Sequence, residues 1–131
     1  MKHRTLLLIK EDQKGIDNIK QQLKDKVPHH TLHVTNNEVD ALTLLTIDNI
    51  HADFILLDIN TPKMNGIEFL RIIKSYHSFK SIKVFILTES EEAYTKIATQ
   101  NMGVRAYIVK PLNFTDKNSP GAQLLLADLL V

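Results

Sequence analysis

Residues 54–58 read Phe54-Ile55-Leu56-Leu57-Asp58, four uninterrupted apolar side chains stopped by a carboxylate. A run this short, with no polar alternation, has the length of a strand and is apolar on both faces. That combination belongs to a parallel sheet covered by helices on each side. The pattern recurs: Leu6-Leu7-Leu8-Ile9 ends at Lys10, Val84-Phe85-Ile86-Leu87 at Thr88, and Ala106-Tyr107-Ile108-Val109 at Lys110-Pro111. Residues 31–35, TLHVT, alternate weakly and predict one more strand.

Helical spacing fills the intervals. Ile16, Ile19, Leu23 and Val27 recur with polar residues between them, and Pro28 ends that helix. Asn37 is placed to cap a helix carrying Val39, Leu42, Leu45 and Ile47. After a loop with Pro62 and Gly66, the residues Ile67, Phe69, Leu70, Ile72 and Ile73 predict a third helix. Residues 91–102 predict a fourth, with Gly103 suited to the left-handed position beyond its end. Ser119-Pro120 reads as the N-cap and first position of a fifth, whose QLLLADLLV is read as mostly core. Residues 112–120, LNFTDKNSP, are the least regular stretch. The order βαβαβαβαβα with right-handed crossovers predicts an α/β fold with a doubly wound five-stranded parallel sheet.

Length and composition agree. A chain of 131 residues is one domain, and 44% hydrophobic residues suffice for a core without staples. Sixteen Lys+Arg against fifteen Asp+Glu leave a net charge of +1, so nothing marks a nucleic-acid partner. The absence of cysteine excludes disulfides, thiolate catalysis and cysteine-ligated zinc. No apolar run approaches the ~18 residues of a membrane span, and no signal-peptide pattern opens the chain; a soluble, cytoplasmic domain is expected. His29, His30 and His33 straddle a loop and a strand, with no helix to align them, and read as solvated.

In doubly wound sheets ligands bind beyond the carboxyl ends of the strands. The residues there are Lys10, Glu11 and Asp12; Asp58 and Asn60; Thr88 and Glu89; and Lys110. Carboxylates with a backbone carbonyl suit Mg²⁺, and a lysine with a hydroxyl suits phosphoryl oxygens. Each taken singly has an ordinary explanation: Asp58 as a strand terminator, Lys110 as a surface lysine, Thr88 as a β-branched strand residue.

Together they carry a resemblance. FILLDINTPKMNG, VFILT and AYIVKP, in order, are similar to the phosphoacceptor, switch and lysine segments of two-component response regulator receiver domains. Asp58 to Thr88 is 30 residues and Thr88 to Lys110 is 22, intervals that match that family. The resemblance covers residues 4 to about 111. It implies a flavodoxin-like, chemotaxis-regulator type of (βα)5 architecture. It further implies Asp58 as the nucleophile taking a phosphoryl group from a sensor histidine kinase or phosphotransfer protein. By the same resemblance Glu11, Asp58 and the Asn60 carbonyl hold Mg²⁺, and Lys110 pairs with the phosphoryl oxygens. Thr88 and Tyr107 form the switch, and Lys110-Pro111 is cis.

Two positions depart from the family pattern. Lys10 stands where a first acid is usual, and Glu89 follows the switch hydroxyl where a small residue is usual. Asp12 can compensate in part. Lys10 is expected to weaken Mg²⁺ binding, moderately if its ammonium escapes to water; the alternative is that the ammonium takes the cation's place beside Asp58. The sequence therefore supports a receiver without an output domain that signals through an unidentified protein, with a homodimer possible. A receiver-like binding module with impaired phosphorylation is the competing reading. An aspartate-nucleophile phosphatase is disfavoured because Asn60 cannot act as the general acid. A flavin protein is disfavoured because no Ser/Thr-Gly loop follows the first strand.

Overall fold

A computed structural model describes residues 2–59, 66–98 and 103–131 of the protein. Five strands form one sheet, all parallel: β1 (Arg4–Ile9), β2 (His30–Thr35), β3 (Phe54–Asp58), β4 (Lys83–Thr88) and β5 (Ala106–Val109), in the spatial order β2-β1-β3-β4-β5. The helices between and after them are α1 (Gln13–Lys26), α2 (Glu38–Thr46), α3 (Gly66–Ser75), α4 (Glu91–Ala98) and α5 (Pro120–Leu130). The doubly wound α/β architecture expected from the apolar runs is the one observed.

Strand residues alternate strictly between two cores, as a pleat of period two requires. Leu6, Leu8, Phe54, Leu56, Phe85, Leu87 and Ile108 pack on α1 and α5. Leu7, Ile9, Ile55, Leu57, Val84 and Ile86 pack on α2 and α3. The middle strand β3 is buried throughout, whereas the edge strand β2 is only half-buried.

Local chemistry sets the helix ends. Asn37 caps α2 by accepting from the Asp40 N–H, and Ser119 caps α5, with Pro120 opening it. Asp12 caps α1, accepting from the Gly15 N–H at 2.9 Å. Gly103 has φ +67°, the left-handed conformation expected of it.

The structure corrects the sequence reading in several places. Val39 and Ile47 do not belong to the buried stripe of α2; they are 46% and 72% exposed, and Ala41 and Leu45 fill the core instead. Ile47 lies beyond the last turn, as its C-cap. Gly66 is the first residue of α3 rather than part of the loop. A short 3-10 turn at His77–Phe79, with no apolar periodicity to announce it, precedes β4. Residues 112–120 lack regular structure but are not loosely held. Leu112 and Phe114 are buried, the Asn18 side-chain N–H donates to the Leu112 carbonyl, and the Phe114 N–H donates to Gln22 Oε1. Of the fourth helix, residues 99–102 lie outside the described residues. The apolar tail is core at Leu125 and Leu129, while Leu130 and Val131 face solvent. Among the described residues no helix is long and apolar enough to cross a membrane.

Candidate functional site

Register brings the rim residues together. Ile9 is level with Leu57, Asp58 with Leu87 and Thr88 with Val109, so β1, β3, β4 and β5 end at one height. Backbone pairing continues one residue further, from the Lys10 N–H to the Thr35 carbonyl and from the Lys110 N–H to the Thr88 carbonyl. The pleat then decides which side chains meet. Lys10, Asp58 and Lys110 each lie two residues beyond a member of the α1/α5 core (Leu8, Leu56 and Ile108), and all three project to that face.

Asp58 is 5% exposed and lies between two ammonium groups. Lys110 Nζ donates to its Oδ1 at 3.1 Å and its Oδ2 at 3.2 Å, and Lys10 Nζ donates to Oδ2 at 2.9 Å. Lys110 also pairs with the exposed Glu89 at 3.0 Å, and Lys10 pairs with Asp12 Oδ1 at 2.8 Å. Asp12, Asp58 and Glu89 are thus linked through two lysines. A cleft of about 580 Å³, lined among others by Lys10, Asp12, Lys14, Glu89 and Lys110, opens this cluster to solvent.

Lys10 does not escape to water, and in this the moderate expectation is corrected. The residue is 4% exposed. Burial opposes its charge, but hydrogen bonds and Coulomb attraction from Asp12 and Asp58 outweigh it, so its pKa lies above the ordinary lysine value. The hydrogen bond from Lys10 in turn holds the Asp12 carboxyl below the usual aspartate value.

The remaining predicted site residues divide. Thr88 is fully buried at the end of β4, with Oγ1 donating to the Ser90 carbonyl at 3.1 Å. Tyr107, half-buried on β5, stacks on Tyr94 of α4. Glu11 is exposed at the rim. Asn60 lies outside the described residues. The Lys110-Pro111 bond is cis, as the resemblance implied.

As arranged, these side chains do not fit a divalent cation. Such an ion needs oxygen ligands on several sides, and an ammonium already stands between the Asp12 and Asp58 carboxylates. Among the described residues no group of three or more Asp, Glu, His or Cys could hold a metal. The sequence reading missed the capping role of Asp12, although an acid directly before a helical period is a recognisable start signal. It also missed Gly15, whose open side lies against Lys10.

Comparison with known proteins agrees with the geometry. Residues 6–117 match the model of the response regulator receiver domain. The chain is 31% identical over 117 residues to response regulator Rcp1 of Synechocystis sp. (strain ATCC 27184 / PCC 6803 / Kazusa), covering 85% of this chain and 80% of that protein. A Mn²⁺-bound structure of Rcp1 superposes with a TM-score of 0.73 at 26% identity, over 96% of this chain and 88% of that one. Regulatory protein AtoC of Escherichia coli (strain K12) is 29% identical over 114 residues, 86% of this chain but only 23% of that protein. A two-component response regulator from Legionella pneumophila superposes with a TM-score of 0.82 at 30% identity, covering 97% of this chain and 98% of that one. With the five-stranded parallel sheet and the lysine-flanked aspartate at its rim, these matches show that the chain belongs to the response regulator receiver domain family.

Proposed function

We propose that the chain is a single receiver domain that takes a phosphoryl group onto Asp58 from the phosphohistidine of a sensor kinase or phosphotransfer protein. It signals through protein–protein contacts rather than by turning over a substrate. The observation that carries the reading is the Lys110–Asp58 pair, in which one ammonium, of a lysine that lines the rim cleft, reaches both oxygens of a buried aspartate. In the transfer a carboxylate oxygen of Asp58 attacks phosphorus and forms the acyl phosphate. The P–N bond breaks, and the imidazole keeps its electron pair. Lys110 follows the developing charge on the phosphoryl oxygens. Thr88 gives up its bond to the Ser90 carbonyl to reach the phosphoryl group, and Tyr107 reports that change on the outer face of β5.

Intact-mass analysis after incubation with acetyl phosphate, with Mg²⁺ and separately with chelator, tests the reading. One added phosphoryl group is expected on the wild type and none on Asp58→Asn. An unmodified wild type would sink it.

A second reading is favoured by one observation, the Lys10–Asp58 pair. A nucleophile with both oxygens held by ammonium groups is a slow one, and the domain then acts by contacts alone. Absence of modification in the wild type together with modification of Lys10→Asp supports this second reading.

A further inference from the structure

Lys10 carries its ammonium inward, and the fold makes room for it at one position. Gly15 is the third residue of α1. A Cβ there would stand 2.1 Å from Lys10 Cε and 2.9 Å from Lys10 Nζ. Glycine inside a helix costs about 1 kcal/mol relative to alanine, so its presence calls for a reason. Backbone conformation is not that reason: among the described glycines only Gly103 has positive φ. What the missing side chain leaves is the volume in which the end of Lys10 lies.

We propose that Lys10 is a resident cation, its ammonium seated in the space beside Gly15 and replacing a divalent ion between Asp12 and Asp58. This deepens the receiver reading, since it concerns the same rim. The ammonium meets Asp12 at 2.8 Å and Asp58 at 2.9 Å, spending two of its three donors on the two carboxylates. A divalent ion would need those same oxygens at ~2.1 Å in near-octahedral array. The two occupants exclude each other. Metal entry requires Lys10 to leave, and both of its ion pairs are then lost. Lys110 stands on the other side of Asp58 and adds to the barrier against a second positive charge.

Two variants separate occupancy from charge. Lys10→Asp removes the ammonium and adds a carboxylate. Gly15→Ala keeps every charge and fills the room; the clash falls on the flexible end of Lys10 and, at 2.6 Å, on Asp12 Oδ2, the oxygen that caps α1, so the check on folding matters for this variant too. Calorimetric titration with Mn²⁺ alone is the measurement, each variant first checked for a cooperative thermal transition. Lys10→Asp should bind Mn²⁺ at least about tenfold more tightly than wild type, given a change of two charge units within ion-pair distance. Gly15→Ala should fall between the two. If Lys10→Asp does not fold, Lys10→Gln replaces it with the same expected direction. Wild-type affinity equal to that of the Lys10 variant overturns the proposal, as does a gain in the Lys10 variant with none in Gly15→Ala. The titration contains no phosphodonor. Failure of Asp58 to accept a phosphoryl group therefore leaves this proposal standing, and tight Mn²⁺ binding by the wild type overturns it without touching the phosphoacceptor reading.

Discussion

The Tyr107 ring stacks on that of Tyr94, with centroids 4.4 Å apart and planes inclined by 25°. The contact joins β5 to α4 on the face away from α1 and α5, two residues before the Val109 that pairs with Thr88. Burial first, then the charge and hydrogen bond of Glu91, push the Tyr107 hydroxyl above the ordinary tyrosine pKa. If Thr88 and Tyr107 move with phosphorylation, beryllofluoride should shift the NMR signals of Tyr94, Tyr107 and their neighbours on β4 and β5. Shifts confined to within a few residues of Asp58 would count against a switch, because a two-state element must be biased by differential contacts.

Close approach of α5 to β5 rests on Gly121. A Cβ at that position would lie 1.8 Å from the Tyr107 carbonyl oxygen, a backbone atom that cannot swing aside. Gly121→Ala should therefore cost about 1–3 kcal/mol in urea denaturation, as overpacking does. A neutral result would show that α5 is free to slide.

Asp128 ties α5 to the sheet through Arg105, at 3.0 and 3.3 Å, and Lys83, at 3.7 Å. The hydrogen bond from Arg105 is the largest cause holding its carboxyl below the usual aspartate value. A depressed folded-state pKa adds stability that is fully present above the unfolded value and is lost as pH falls through the folded one. Asp128→Asn should thus be less stable than wild type at neutral pH, by about 1 kcal/mol after allowing for partly exposed partners. Denaturation curves of the two should converge as pH falls below the ordinary aspartate value and through the lowered folded-state one. A constant gap across that range would refute the assignment.

Phe114 is 3% exposed and packs in the α1/α5 core from an irregular segment. Phe114→Ala should cost about 3 kcal/mol or more and lower the thermal midpoint by several degrees. A change within experimental scatter would mean the segment is not part of the core.

Four strands were legible because each is a bare apolar run closed by a charged or hydroxyl residue, β2 only by a weak alternation, and Asp58, Thr88 and Lys110 follow from where those runs stop. Phe114 was not legible, since one aromatic among turn residues has no period to place it. Val39 and Ile47 misled because α2 is only nine residues long and presents a narrow face to the sheet. The direction of Lys10 was left open between water and Asp58, and the structure takes the second. A lysine at a rim ordinarily leads to water, and what turns this one inward is a tertiary arrangement, two carboxylates and the open side of Gly15. The pairing of Lys110 with Glu89 has the same character, depending on two loops meeting.

Asp58 as the phosphoacceptor is tested most directly by borohydride reduction of the acetyl phosphate-treated wild-type chain, followed by peptide mapping. Reduction converts an aspartyl phosphate to homoserine and marks its position without altering the sequence beforehand. Homoserine at position 58, and at no other acidic residue, is the predicted result. Homoserine at another acid such as Asp12, or none anywhere, would contradict it.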